Sequence, residues 1–183
     1  MANKTNNTKV VTGIVRLSYE HVWEPASING SNPKYSVSLI IPKDDVKTIA
    51  AINQAVENAI KDGAAKFGGK IPPKGALKLP LRDGDEDRPE APEYAGMYFL
   101  NANSTQKPGI VDKDLVEIID PEEVYSGCYG RASINFYAFN SNGNKGVACG
   151  LGNIQKVRDG EPLGGKTSAA DDFSTDLDDD FLS

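Results

Sequence analysis

The sequence predicts a mainly β body, a small barrel or sandwich with one substantial α-helix, followed by a separate acidic tail. Three observations carry this. Short, alternating, β-branched segments recur between breaks rich in Gly, Pro and Asn. A single run places apolar residues at helical spacing. After Lys166 the composition turns abruptly acidic. The boundaries read as a body over residues 1–166 and a tail over 167–183. A body of that size buries roughly two-thirds of its unfolded surface, so it needs no disulfide or metal staple.

Residues 10–19 (Val-Val-Thr-Gly-Ile-Val-Arg-Leu-Ser-Tyr) alternate roughly and predict a first strand. Residues 21–34 hold Pro25, Asn29-Gly30 and Asn32-Pro33 and read as a loop. Residues 35–41 predict a second strand, stopped by Pro42. Asp44 suits the N-cap of a helix. In that helix Val46, Ile49, Ile52, Val56 and Ile60 recur at helical spacing, and it ends near Gly63. Residues 67–94 contain Pro72, Pro73, Pro80, Pro89 and Pro92, and read as a long excursion with little regular structure. Long ordered loops of this kind are often functional. Residues 96–103, 115–119 and 130–140 predict further strands. Asn142-Gly143 favours a tight hairpin turn, with residues 146–157 returning as its partner.

The net charge is −6, from 20 Lys and Arg against 26 Asp and Glu. Residues 167–183 hold six of the acids and no base, which leaves 20 of each sign in residues 1–166. The body is neutral, so the acidic total does not exclude a nucleic-acid partner. Cys128 and Cys149 read as small core residues of a reducing compartment. The polar N-terminus lacks a signal-peptide pattern, and no apolar run approaches a membrane span. A cytoplasmic protein without a membrane partner is expected.

Catalytic readings find little support. His21 is the sole histidine, and no Cys/His cluster has metal-ligand spacing, so neither a catalytic residue, a metal nor a cofactor is expected. Residues 83–87 resemble the start of a calcium loop, but Arg88 stands where glycine is needed and Tyr94 where glutamate is. They read as a solvated acidic turn. Gly160-Glu161-Pro162-Leu163-Gly164-Gly165-Lys166-Thr167 matches the phosphate-loop pattern letter by letter. That chemistry needs a strand before and a helix after, and Ser168-Ala169-Ala170-Asp171-Asp172 offers no helical apolar face. The segment reads as a hinge.

A nucleic-acid reading does better, because sequence-tolerant binding of single strands needs stacking aromatics and cations along one groove. Alternation in residues 131–139 puts Ala132, Ile134, Phe136 and Ala138 on a core face. Arg131, Ser133, Asn135, Tyr137 and Phe139 fall on the other. That second face suits base stacking, or equally an exposed sheet face with aromatic cross-strand pairs. Arg16 falls on the polar side of the first strand with Thr12 and Ser18. Lys34 and Tyr35 open the second strand, Tyr98 lies in mid-strand, Trp23 lies in the loop, and Lys145 follows the hairpin turn. In the excursion Lys66, Lys70, Lys74, Lys78 and Arg82 recur every fourth residue. As an extended arm they would follow a phosphate backbone; otherwise they solubilise a loop. In the tail, Phe173, Leu177, Phe181 and Leu182 punctuate the acids. Asp178, Asp179, Asp180 and Phe181 suit docking into a basic, apolar pocket of a partner, and the same charge could occupy the protein's own DNA groove.

Tyr125-Ser126-Gly127-Cys128-Tyr129-Gly130-Arg131, Asn144-Lys145-Gly146-Val147 and Gln155-Lys156-Val157-Arg158-Asp159-Gly160-Glu161-Pro162-Leu163 resemble a bacteriophage family once known only as a domain of unknown function. Residues 96–102 and 107–112 fit it as well. The resemblance implies an OB-fold-like β-barrel that binds and protects single-stranded DNA in phage replication or recombination, without catalysis, in the host cytoplasm. The tail is similar to the acidic tails of replication single-strand binders, which recruit replication or recombination proteins. It departs from them by ending Phe181-Leu182-Ser183. The alternative is an adaptor of the replication machinery that acts through its tail without touching DNA. A monomer and a homodimer both fit the sequence.

Overall fold

A computed structural model describes residues 8–27 and 32–163. The acidic tail and the boundary at residue 166 lie outside the described residues. The strands are β1 (Lys9–Val11), β2 (Val15–Ala26), β3 (Lys34–Pro42), β4 (Arg82–Asp83), β5 (Met97–Ser104), β6 (Ile110–Val111), β7 (Tyr129–Ser141) and β8 (Asn144–Arg158). The helices are α1 (Val46–Asp62) and the single turn α2 (Gly84–Asp87).

Five strands close on themselves in the order β2–β3–β5–β8–β7 and back to β2. All neighbours are antiparallel except β5 and β8, which meet in parallel at Asn103 and Gly150. This closed five-stranded barrel is the OB-fold architecture. Branched aliphatic and aromatic residues fill it from alternate positions: Val15, Leu17, Leu39, Leu100, Ile134 and Phe136 are all buried. Cys128 and Cys149 are free and buried there, and burial pushes both thiols upward in pKa.

The stretch 10–19 is not one strand. Thr12 is fully buried at the break, where its hydroxyl donates to Gly13 O at 2.8 Å and accepts from Ala132 N at 3.1 Å. Residues 21–26 belong to β2 rather than a loop, with His21 opposite Ser36 and Ala26 opposite Lys34. The β-forming run His21-Val22-Trp23 outweighs Pro25, which sits at the strand's end where a missing N–H is tolerated. Helix α1 is capped by Asp45, not Asp44: its Oδ1 accepts from Thr48 N at 3.2 Å. Ile52, Val56 and Ile60 are buried, whereas Val46, in the first turn, is exposed. A Cβ on Gly63 would stand 2.2 Å from Ala138 Cβ, so the end of α1 seats directly on β7.

The excursion is ordered rather than extended. Phe67, Leu77 and Tyr94 are buried anchors, and between them run short helical turns, β4 and α2. Lys43 bridges Asp83 (2.8 Å) and Asp85 (2.9 Å), and these bonds hold both carboxyls below the usual range. Residues 115–119 form no strand. Asp112 Oδ1 accepts from Asp114 N and Val116 N, which curls the chain into a turn, and Leu115 takes φ +66. β6 pairs with β8 instead.

Candidate nucleic-acid interface

The outer face of the barrel carries a polar row that the strand register fixes. Lys9 pairs with Asn135, Asn135 with Gly150, Gly150 with Asn103, Asn103 with Ser36, and Ser36 with His21. Paired residues point to the same side, so this row runs round the outside of the barrel over β1, β7, β8, β5, β3 and β2. Five inter-strand steps make it about 24 Å long. Its members are exposed or half-exposed, while their chain neighbours Val10, Ile134, Phe136, Cys149, Ala102, Val37 and Val22 are buried.

Tyr137 stands beside this row on β7, 41% exposed. Its Cε1 would lie 3.7 Å from a Cβ on Gly150, so the ring rests against a shelf of bare backbone. Phe139 follows, half-buried, opposite Gly146. Lys78 bridges to Gly146 from the other side: its N donates to Lys145 O and its O accepts from Val147 N, both at 2.9 Å. Arg131, also exposed on β7, is fixed by a bond from its Nε to Thr12 O at 2.8 Å. Lys145 lies opposite Asn140 at the hairpin end, where Asn142 (φ +52) and Gly143 (φ +84) make the turn. Thus Lys78, Arg131, Tyr137, Phe139 and Lys145, five of the expected residues, gather on or beside one strand pair. The alternation of β7 makes this face legible.

The other expected residues lie elsewhere. Trp23 is a half-buried strand residue; its Nε1 donates to Val124 O at 3.1 Å and Lys107 covers the ring at 5.2 Å. Arg16 is half-buried and committed to backbone, donating from Nε to Gly127 O (3.1 Å) and from Nη2 to Glu161 O (2.6 Å). Its companions Thr12 and Ser18 are buried, not on a solvated polar side. Arg16 and Arg158 flank the Tyr129 ring at 5.4 and 4.4 Å. Tyr98 is half-buried beneath Lys43 at 5.2 Å, and Arg82 pairs with Asp87 at 3.1 Å. Lys34 is exposed and Tyr35 half-exposed at the start of β3, and Lys74 lies in the turn Lys74–Ala76. The cations of the excursion therefore form no continuous arm. Asp178, Asp179, Asp180 and Phe181 lie outside the described residues.

Sequence reasoning missed a second aromatic centre. The pairing of β2 with β3 shifts between Ser18 and His21. In this bulge Tyr19 takes φ +46 and is 58% exposed. A bulky residue in this region costs on the order of 1–3 kcal/mol and persists only where its surroundings enforce it. Arg88 lies 5.2 Å from the Tyr19 ring and 5.0 Å from the rings of Tyr94 and Phe99. The Tyr94 hydroxyl reaches Ser18 Oγ (3.3 Å) and Ser38 Oγ (3.5 Å). The signal was present in the sequence as a shift of inward apolar positions from odd (Val15, Leu17) to even (Val22).

Gly160 to Leu163 run along the body, where Leu163 N donates to Ser126 O at 2.8 Å and its side chain packs on the Ile40, Tyr94 and Phe99 cluster. Among the described residues no group of three His, Cys, Asp or Glu could hold a metal, and no helix is long and apolar enough to cross a membrane.

Residues 8–182 match a family described as Enterobacter phage Enc34, ssDNA-binding protein. The chain is 30% identical over 175 residues to putative protein p50 of Acyrthosiphon pisum secondary endosymbiont phage 1, covering 90% of this chain and 92% of that one. The single-stranded DNA-binding protein of bacteriophage Enc34, solved in complex with ssDNA, superposes with a TM-score of 0.75 at 28% identity, covering 89% of this chain and 97% of that one. Gp2.5, a single-stranded DNA-binding protein encoded by bacteriophage T7, shares the fold: its TM-score is 0.61 at 15% identity, over 94% of this chain and 96% of that one.

Proposed function

The chain belongs to the family of the Enterobacter phage Enc34 ssDNA-binding protein, and on that premise we propose that it binds single-stranded DNA, without catalysis, across the outer face of its barrel. The observation that carries this is the row from Lys9 to His21, with Tyr137 and Lys78 beside it. Its side-chain amides and hydroxyls can reach base edges, its exposed ring can stack a base, and its lysines meet no carboxylate among the described residues. The length of the row suits a site of at least four nucleotides, within the range for one OB-fold. Protection of DNA during phage replication or recombination in the host cytoplasm follows from this reading.

We further propose that the acidic tail docks replication or recombination proteins through Asp178, Asp179, Asp180 and Phe181, and competes with DNA for the cationic face. The body's last described residue, Leu163, packs on the aromatic cluster that also supports Arg88.

Anisotropy titrations with single-stranded and duplex oligonucleotides at two salt concentrations test the main reading. Sequence-tolerant, salt-sensitive binding, much weaker for duplex, is expected. Equal affinity for duplex would overturn it. Truncation after Lys166 is expected to tighten binding, and unchanged affinity would refute the competition.

A further inference from the structure

We infer that Tyr19 and Arg88 form one nucleotide station at the β2 end of the outer face, with a base stacked on the Tyr19 ring and its phosphate at the Arg88 guanidinium. This rests on the proposed binding of single-stranded DNA. Three independent features of the site converge on it.

Position comes first. Tyr19 lies in the bulge between the Ser18–Ser38 and His21–Ser36 pairings, where the polar row reaches its last strand. Bulges recur beside binding sites because they re-aim a side chain. Here the left-handed backbone turns a large ring outward, to 58% exposure. A core role would bury that ring, and a merely solvated position would need no such backbone.

Charge comes second. Arg88 follows Asp87 and stands two residues before Glu90, and the segment also offers Asp83, Asp85, Glu86 and Glu93. Yet Asp87 pairs with Arg82, and Asp83 and Asp85 pair with Lys43. Arg88 makes no ion pair among the described residues. It turns instead onto three aromatic rings, which hold its plane but do not neutralise it. A guanidinium fixed in this way is ready to grip a phosphate through its N–H edge.

Hydrogen bonding comes third. Arg88 Nε is buried with no partner, and Nη1 reaches only the Tyr19 hydroxyl at a long 3.4 Å. Buried donors are seldom left unmade. Nε itself is covered, so a phosphate oxygen would meet the guanidinium at its weakly bonded Nη edge, with the adjoining base over Tyr19.

Binding of oligo-dT by the full chain and by Tyr19→Ala, Tyr19→Phe and Arg88→Gln tests this. Tyr19→Ala should weaken binding roughly tenfold, the loss of one stacked base, and Tyr19→Phe should restore it. Arg88→Gln should lower the slope of log K against log salt by about 0.7, the loss of one phosphate contact. The melting temperature of each variant separates lost binding from lost fold, and Tyr19, being exposed, can be changed without emptying the core. If the unaltered chain binds while Tyr19→Ala binds within twofold of it, the station is wrong and the wider reading stands. If the unaltered chain does not bind, the wider reading falls first.

Discussion

Lys156 lies over the Tyr125 ring at 5.8 Å, and Lys78 bridges to the strand pair that carries Tyr137. Both regions offer a lysine and a tyrosine on the same barrel, yet they differ in what surrounds the charge. Lys156 is bonded to Glu123 (3.3 Å) and to Asp159, and its side chain is 11% exposed. Burial opposes its charge, but those two carboxylates outweigh burial and raise its pKa. The Tyr125 hydroxyl donates to Gly160 O at 2.8 Å, and Asp112, Asp114 and Asp120 line the same cleft. Lys78 spends only its backbone on the fold, and Tyr137 keeps an open ring face. A cation and an aromatic in proximity do not by themselves make a nucleic-acid surface. What matters is whether carboxylates have already claimed the cation and the fold has already claimed the ring.

That contrast can be broken by charge. Lys9→Glu with Lys78→Glu should weaken oligo-dT binding by roughly a hundredfold at low salt and reduce the salt slope by about 1.4. Lys156→Gln should leave affinity within twofold and lower Tm by about 2 °C, because it removes paired rather than free charge. Similar losses from both would erase the distinction between the two regions. Two glycines sharpen the comparison with a smaller effect. A Cβ on Gly150 meets Asn135 O at 3.5 Å and Tyr137 at 3.7 Å, ordinary contacts. Gly150→Val should therefore keep Tm while crowding the stacking shelf, with roughly fivefold weaker binding. At Gly146 a Cβ would lie 2.3 Å from Lys78 O, so Gly146→Val should lower Tm markedly. Circular dichroism melts with parallel titrations check both.

The barrel's inward residues were legible because a strand's period of two sorts Ile134 and Phe136 from Asn135 and Tyr137 without knowledge of the fold. Helix α1 was legible for the same reason at its own period, and the hairpin because Asn142-Gly143 has few alternatives. The cross-strand row was not, because it depends on the register of six strands, and no local pattern encodes which residue of β5 meets Gly150. Trp23 was misplaced because Pro25 read as a loop marker when it stood at a strand's end. Arg16 looked available from its face alone, but backbone carbonyls from distant Gly127 and Glu161 claim it. The setting of Arg88 was invisible in the sequence, since three rings from separate segments surround it only once the chain has folded. Of the phosphate-loop match, Gly160 to Leu163 pack along the body, and the residues after them lie outside the described residues.

The most direct measurement follows the side-chain amide resonances of the folded protein while oligo-dT is added. Asn103 and Asn135 lie on the row, on strands far apart in sequence, and Gln54 lies on helix α1 away from it. Single-stranded DNA crossing the outer face should shift Asn103 and Asn135 together at the same saturation and leave Gln54 in place. Shifts at Gln54 with Asn103 and Asn135 unmoved would contradict it.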